Sequence, residues 1–283
     1  MPALTLSLVK SSGFRMLPLL LASFGLLLSA PSVSRGEGAI TKLRVDRSAE
    51  QVELFAALKD GRLTHRIAAR DEFSAKVFLT NTTSQPLTVE IPPVLGAVPV
   101  LKQAQSGNGF FDFTGLPIND DTTSGEFQNV VGQSSDASGS PLGLPGNMGL
   151  NFFSIPPEKT VQFMLRSVCA EPGQRSPNVK VTYALVPLEK LTTSPVVREL
   201  LASWNARETS RQVMQASIWN QLNGLEWSEL AQRSISRGPI TFRAFGRGQL
   251  RAARALVEQT NAGLKQDSTA GRDVAETSSR TTR

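Results

Sequence analysis

Apolar and polar residues alternate along most of the chain between residues 62 and 188, and beyond Leu188 the apolar period becomes helical. In "RLTHRIAAR", Leu63, His65 and Ile67 fall on one side of a predicted strand. In "FSAKVFLTNTTSQPLTVEIPP", Phe73, Ala75, Val77 and Leu79 alternate with more polar positions, and residues 81–86 carry turn chemistry. Leu87, Val89 and Ile91 then alternate again. This pattern predicts a hairpin with one buried face. "AVPVL" adds a short piece, which Pro99 assigns to a sheet edge. "LNFFSIPPEKTVQFMLRSVCAEP" predicts two strands about a turn at residues 156–160, with Val161, Phe163, Leu165, Ser167 and Cys169 sharing a face. "NVKVTYALVPL" supplies another.

Helical signals flank this region. "SAEQVELFAALKDGRL" reads as a short helix capped by Ser48, with Gln51 three residues on and Gly61 at its end. "TSPVVRELLASWN" places Ser194 at the N-cap and Pro195 at the first helical position, followed by Val197, Leu200, Leu201 and Trp204 at helical spacing. "TSRQVMQASIWNQLNG" is a second helix ending near Gly224, "WSELAQR" a third and "GRGQLRAARALVEQTNAG" a fourth. Trp204, Trp219 and Trp227 are assigned to a small helical core. The predicted architecture is α+β. An N-terminal immunoglobulin-like antiparallel β-sandwich spans residues 40–190, and a Gly/Ser/Asp-rich flexible insertion occupies 103–148. An α-helical domain follows over 191–264, with a disordered tail over 265–283.

The first 36 residues change the picture of compartment. Lys10 and Arg15 precede an apolar run from Met16 to Leu28 and then small residues, the order of a secretory signal peptide. That run is shorter than the about 20 residues a membrane span needs, and no later segment is predicted to span. The expectation is export to the periplasm, the cell surface or the medium.

The chain of 283 residues carries a formal net charge of +6, one cysteine and one histidine. One cysteine excludes an internal disulfide framework, and one histidine leaves no His-rich metal site and little choice for a catalytic triad. No cofactor is predicted.

The blocks "VELFAALKDGRL", "VFLTNTTSQPLTVEIPP", "AVPVL", "SVCAEPGQRSPN" and "QASIWNQLNGLEWSELA" occur in one order. Together they resemble a family of uncharacterised secreted proteins of planctomycete-type bacteria, over roughly Val45 to Gln259. Members of that family often carry a long Gly/Gln/Met-rich insertion after the "VPVL" block, where this chain has its shorter Gly/Ser/Asp stretch. The resemblance implies an exported protein with this architecture and no known enzyme activity.

Cys169 alternates with apolar residues near a strand end, as a quiet core thiol does; an odd cysteine in an exported chain also suits pairing with another molecule. A sharper reading joins Cys169 to Gln215. "QASIW" is similar to the helical stretch from which bacterial surface thioester domains supply a glutamine to a strand cysteine, and that resemblance implies a covalent adhesin. His65 is expected as a satisfied, partly buried side chain. Asp112, Asp120, Asp121 and Glu126 offer hard oxygen ligands, but without the spacing of a calcium loop they read as solvated residues.

Arg233, Arg237, Arg243, Arg247, Arg251 and Arg254 form a run with no acid between Glu229 and Glu258. Arg247, Arg251 and Arg254 share a helix face. A patch of Arg243, Arg247, Arg251 and Arg254 suits a protein partner or an anionic cell-envelope partner. Export and the lack of a nucleic-acid-binding fold argue against nucleic acid. The expected function is therefore non-catalytic binding at the cell envelope, with the Cys169–Gln215 thioester adhesin as the alternative.

Overall fold

The computed structural model describes residues 38–100, 127–136, 138–142, 151–237 and 239–280. The predicted signal segment and Asp112, Asp120, Asp121 and Glu126 lie outside the described residues, as does most of the predicted 103–148 insertion. The chain order is β1 (Glu50–Glu53), α1 (Leu54–Lys59), β2 (Leu63–Asp71), β3 (Ser74–Asn81), β4 (Leu87–Glu90), β5 (Val94–Pro99), β6 (Val130–Ser135), β7 (Phe152–Ile155), β8 (Thr160–Cys169) and β9 (Tyr183–Pro187). After a 3-10 turn at Leu188–Lys190 come α2 (Pro195–Ala202), α3 (Arg211–Asn223), α4 (Trp227–Gln232), β10 (Ser234–Arg237), β11 (Ile240–Arg243) and α5 (Arg247–Arg280). The fold is mixed α+β.

Six strands form one antiparallel sheet in the order β2-β3-β8-β6-β5-β9, and a three-stranded sheet runs β1-β4-β7. The large sheet curls until its outer strands meet. Leu185 N on β9 donates to His65 Nε2 on β2 at 3.1 Å, so the sheet approaches a closed barrel. Alternation sorts the side chains. Leu63, Val77, Leu79, Leu95, Val130, Phe163, Leu165 and Leu185 join Val89, Phe153 and Ile155 of the smaller sheet in one core. Residues of opposite parity, Val94, Val131 and Val168, face outward and are covered by Val197, Leu200, Leu201, Trp204, Met214, Ile218 and Val257 of the helical part. Sheet and helices therefore share a core, and the described residues form one compact unit. Each fully buried Leu or Val in that seam contributes about 1.5–3 kcal/mol relative to exposure.

Several expectations are corrected. β3 and β4 form no hairpin: β3 pairs with β2 and β8, while β4 pairs with β1 and β7. The chain steps between sheets at residues 81–86 and again between β7 and β8. The fully buried Asn81 ties the two steps together. Its Nδ2 donates to Gln85 O at 2.7 Å and to Ile155 O at 3.0 Å, and its Oδ1 accepts from Thr83 N at 2.9 Å. The first predicted helix starts later than Ser48, because Val52 and its neighbours pair in parallel with β4; Glu53 is the N-cap, its Oε2 accepting from Ala56 N at 2.7 Å. β5 lies between β6 and β9 instead of at an edge, with Pro99 as its last residue.

The 103–148 segment is not wholly a loop, since it contains β6, every residue of which is buried. Its polar side chains hid it from a hydrophobicity reading. Each has a distant partner: Gln133 Nε2 donates to Ala202 O at 2.8 Å, satisfying a carbonyl at the end of α2, and Ser134 Oγ donates to Pro92 O at 2.8 Å. Gly132 allows β8 to approach, because a Cβ there would stand 2.3 Å from Arg166 O. Finally, α5 continues to Arg280 through the stretch expected to be a disordered tail. That stretch contains no proline, and Ala, Gln, Glu, Lys and Arg within it favour a helix.

Candidate functional site

Local signals place α3 against the end of β8. Ser210 Oγ accepts from Val213 N at 3.3 Å to start α3, and Gly224 ends it in the left-handed region at φ 66°. Residues 213–218 are all buried, so α3 is enclosed instead of lying on the surface. Ser217 Oγ bonds Val213 O and Ala253 O, at 3.0 and 3.3 Å, which ties α3 to α5.

This packing brings together two residues 46 positions apart. The ladder between β3 and β8 ends at the pair Ser74 and Arg166, and Ser167 N still reaches Phe73 O at 3.1 Å. Two residues on, the amide and carbonyl of Cys169 point to the same side, where β3 no longer runs. Gln215 takes the vacated place: Cys169 N donates to Gln215 Oε1 at 2.8 Å and Gln215 Nε2 donates to Cys169 O at 2.9 Å. Trp219 Nε1 adds a third bond to Cys169 O at 3.1 Å. The side chains of one helix thus complete the strand edge, and Gln215 and Trp219 of the "QASIW" block both act on the cysteine. The Gln215 side chain meets Cys169 through the backbone of the cysteine, in place of the bond to its sulfur that the thioester reading requires.

Cys169 is 4 % exposed and Gln215 is 5 % exposed. Burial, reinforced by the nearby carboxylates of Glu72 and Glu171, pushes the Cys169 thiol up, while the Gln128 side chain bonds to it and acts in the opposite direction. Burial also raises Glu171, against hydrogen bonds from Asn129 N and Nδ2 at 2.7 and 2.6 Å. A cavity of about 260 Å³ adjoins the junction, and Glu72, Gln128, Cys169, Gln215, Trp219 and Phe245 stand among its walls. Trp219 meets Phe245 edge-on at 5.7 Å between centroids, and the Arg233 guanidinium lies 5.2 Å from the Trp219 ring. Gln128 is 4 % exposed, yet among the described residues its Oε1 has no hydrogen-bond partner. The sequence reading missed Gln128 and Glu72, because Gln128 sits in the segment assigned to a loop and nothing local marks Glu72.

On the far side of the cavity wall stands the β10–β11 hairpin, where Ile235 pairs with Phe242. Ile235, Ile240 and Phe242 are 47 %, 56 % and 48 % exposed. Arg243, Arg247, Arg251 and Arg254 are all exposed nearby, at the end of β11 and on the first turns of α5. Arg254 Nε pairs with Glu258 Oε1 at 2.9 Å. Among the described residues, Arg243, Arg247 and Arg251 form no ion pair. No acid occupies the first turn of α5, so Arg247 faces the positive end of the helix dipole. Helix stability does not explain a cation there.

Among the described residues, no three His, Cys, Asp or Glu side chains gather as metal ligands, and no helix is long and apolar enough to cross a membrane. Comparison with family models, curated proteins and solved structures returns no match.

Proposed function

We propose that the protein is an exported, non-catalytic binding protein whose contact face is the β10–β11 hairpin with the first turns of α5, and whose partner is an anionic polymer of the cell envelope. The observation that carries this reading is the exposed apolar surface of Ile240 and Phe242 beside three arginines that form no ion pair among the described residues. Apolar contact supplies area and the guanidinium groups supply directional bonds to phosphate or carboxylate.

The test is binding of the exported protein to immobilised polyphosphate and to an uncharged polysaccharide. Binding to the polyanion alone, weakening as salt rises, is expected. The triple variant R243E/R247E/R251E should weaken it by roughly tenfold or more. Equal retention of wild type and triple variant rejects the assigned face. The alternative, a covalent Cys169–Gln215 thioester, is tested separately by the intact mass of the protein; the contacts present run from the Gln215 carboxamide to the Cys169 backbone.

A further inference from the structure

We propose that the cavity bounded by the end of β8, α3 and β10 binds a free α-amino acid with an aromatic or branched apolar side chain, held without any covalent bond. Size and wall fix the apolar part. A cavity of about 150 Å³ takes a benzene-sized ligand, and drug-sized pockets run from about 300 Å³ upward. At about 260 Å³ this one suits a single ring or branched chain carrying a small polar head. Phe73, Ile235 and Phe245 line it together with Trp219, whose ring meets Phe245 edge-on. Gln215 is a neutral part of the wall, because both ends of its carboxamide are engaged by the Cys169 backbone.

Two charges of opposite sign choose the head group. Glu72 and Arg233 line the same cavity and are partly buried, and neither forms an ion pair among the described residues. The backbone of each is held from behind. Ser167 Oγ donates to Glu72 O at 3.0 Å, and Ala244 N donates to Arg233 O at 2.8 Å where α4 gives way to β10. The Glu72 carboxylate is near enough to Cys169 to push its thiol up. The Trp219 ring steadies the Arg233 guanidinium at 5.2 Å, and the planar fork of N–H donors on that group matches a carboxylate. Partly burying an acid and a base that do not pair costs free energy, which a ligand carrying both opposite charges recovers. An α-ammonium on Glu72 and an α-carboxylate on Arg233 meet that need in one small molecule. A carboxylate alone leaves Glu72 unmatched, and an amine alone leaves Arg233 unmatched. A bare organic cation finds no aromatic cage here, since Arg233 stands over Trp219 and Arg211 stands over Phe73 at 5.4 Å.

The experiment is calorimetric titration of the purified protein with L-phenylalanine, 3-phenylpropionate and phenethylamine, which share a ring and differ in the head. Phenylalanine should bind saturably, and each single-charge analogue should bind at least about tenfold more weakly. Glu72→Gln should abolish the preference for phenylalanine over 3-phenylpropionate, and Arg233→Gln the preference over phenethylamine. No saturable heat with phenylalanine up to tens of millimolar, or equal affinities for the three compounds, overturns the proposal. Both of those results are read from the wild type and do not depend on how the variants fold. Preferences retained in both variants overturn the assignment of the two charges. Every one of these results leaves the polyanion test standing, because R243E/R247E/R251E alters other residues.

Discussion

His65 closes the curled sheet only while its imidazole is neutral. Nε2 accepts the Leu185 amide, so its lone pair must be free and the ring proton must sit on Nδ1. Protonation places an N–H against an N–H and removes the only side-chain bond joining β2 to β9 among the described residues. Burial holds the folded-state pKa at about 4, against 6.5 for an ordinary histidine. The unfolded chain therefore takes up a proton as pH falls through 6.5, and the folded chain does not until about pH 4. Stability is full above pH 6.5, declines as pH falls through this window and gains no further loss from His65 below it. The interval corresponds to about 3 kcal/mol. Urea unfolding across the window, for wild type and His65→Gln, measures it. Carboxylates contribute to both proteins and cancel in the comparison, so the wild type should lose about 3 kcal/mol more than the variant. Because the chain has one histidine, its imidazole resonance also titrates without overlap. A midpoint near 6.5, or parallel stability curves for the two proteins, refutes the buried clasp.

Two substitutions test how the sheets are held. Gly132→Ala places a Cβ 2.3 Å from Arg166 O and 2.8 Å from Ser167 Cα, both backbone atoms of a central strand. It should cost about 1–3 kcal/mol or more in thermal or urea unfolding, and an unchanged midpoint would show that β6 does not sit against β8 this closely. Asn81→Ala removes the donors to Gln85 O and Ile155 O and should cost about 1–3 kcal/mol, with more proteolysis at residues 81–86 and 156–160. Wild-type stability in this variant would mean that the two chain crossings are held by packing alone.

What the chain's pattern made legible was local. Ser194 with Pro195, Ser210 and Gly224 mark helix ends through bonds made within a turn, and the alternating cores of β2, β3 and β8 follow from one buried face. What stayed hidden depends on distant partners. β6 looks like a loop because Gln133 and Ser134 find their acceptors at Ala202 and Pro92. The expected β3–β4 hairpin fails because Asn81, which resembles an ordinary turn residue, is buried and spans two sheet crossings. The candidate site was half visible. Cys169 and Gln215 were joined by residue type, but the capping of the strand edge by Gln215 and Trp219 follows only from where β3 ends. Arg254 belonged to the predicted basic patch, yet its charge is answered by Glu258 one turn on.

The proposed contact face is tested most directly by amide hydrogen exchange on the purified protein with and without envelope from the producing cells. The account predicts slowed exchange confined to the β10–β11 hairpin and the first turns of α5, and loss of that protection in R243E/R247E/R251E. Protection centred on another surface, such as β2 and β3, with the hairpin exchanging freely, contradicts it.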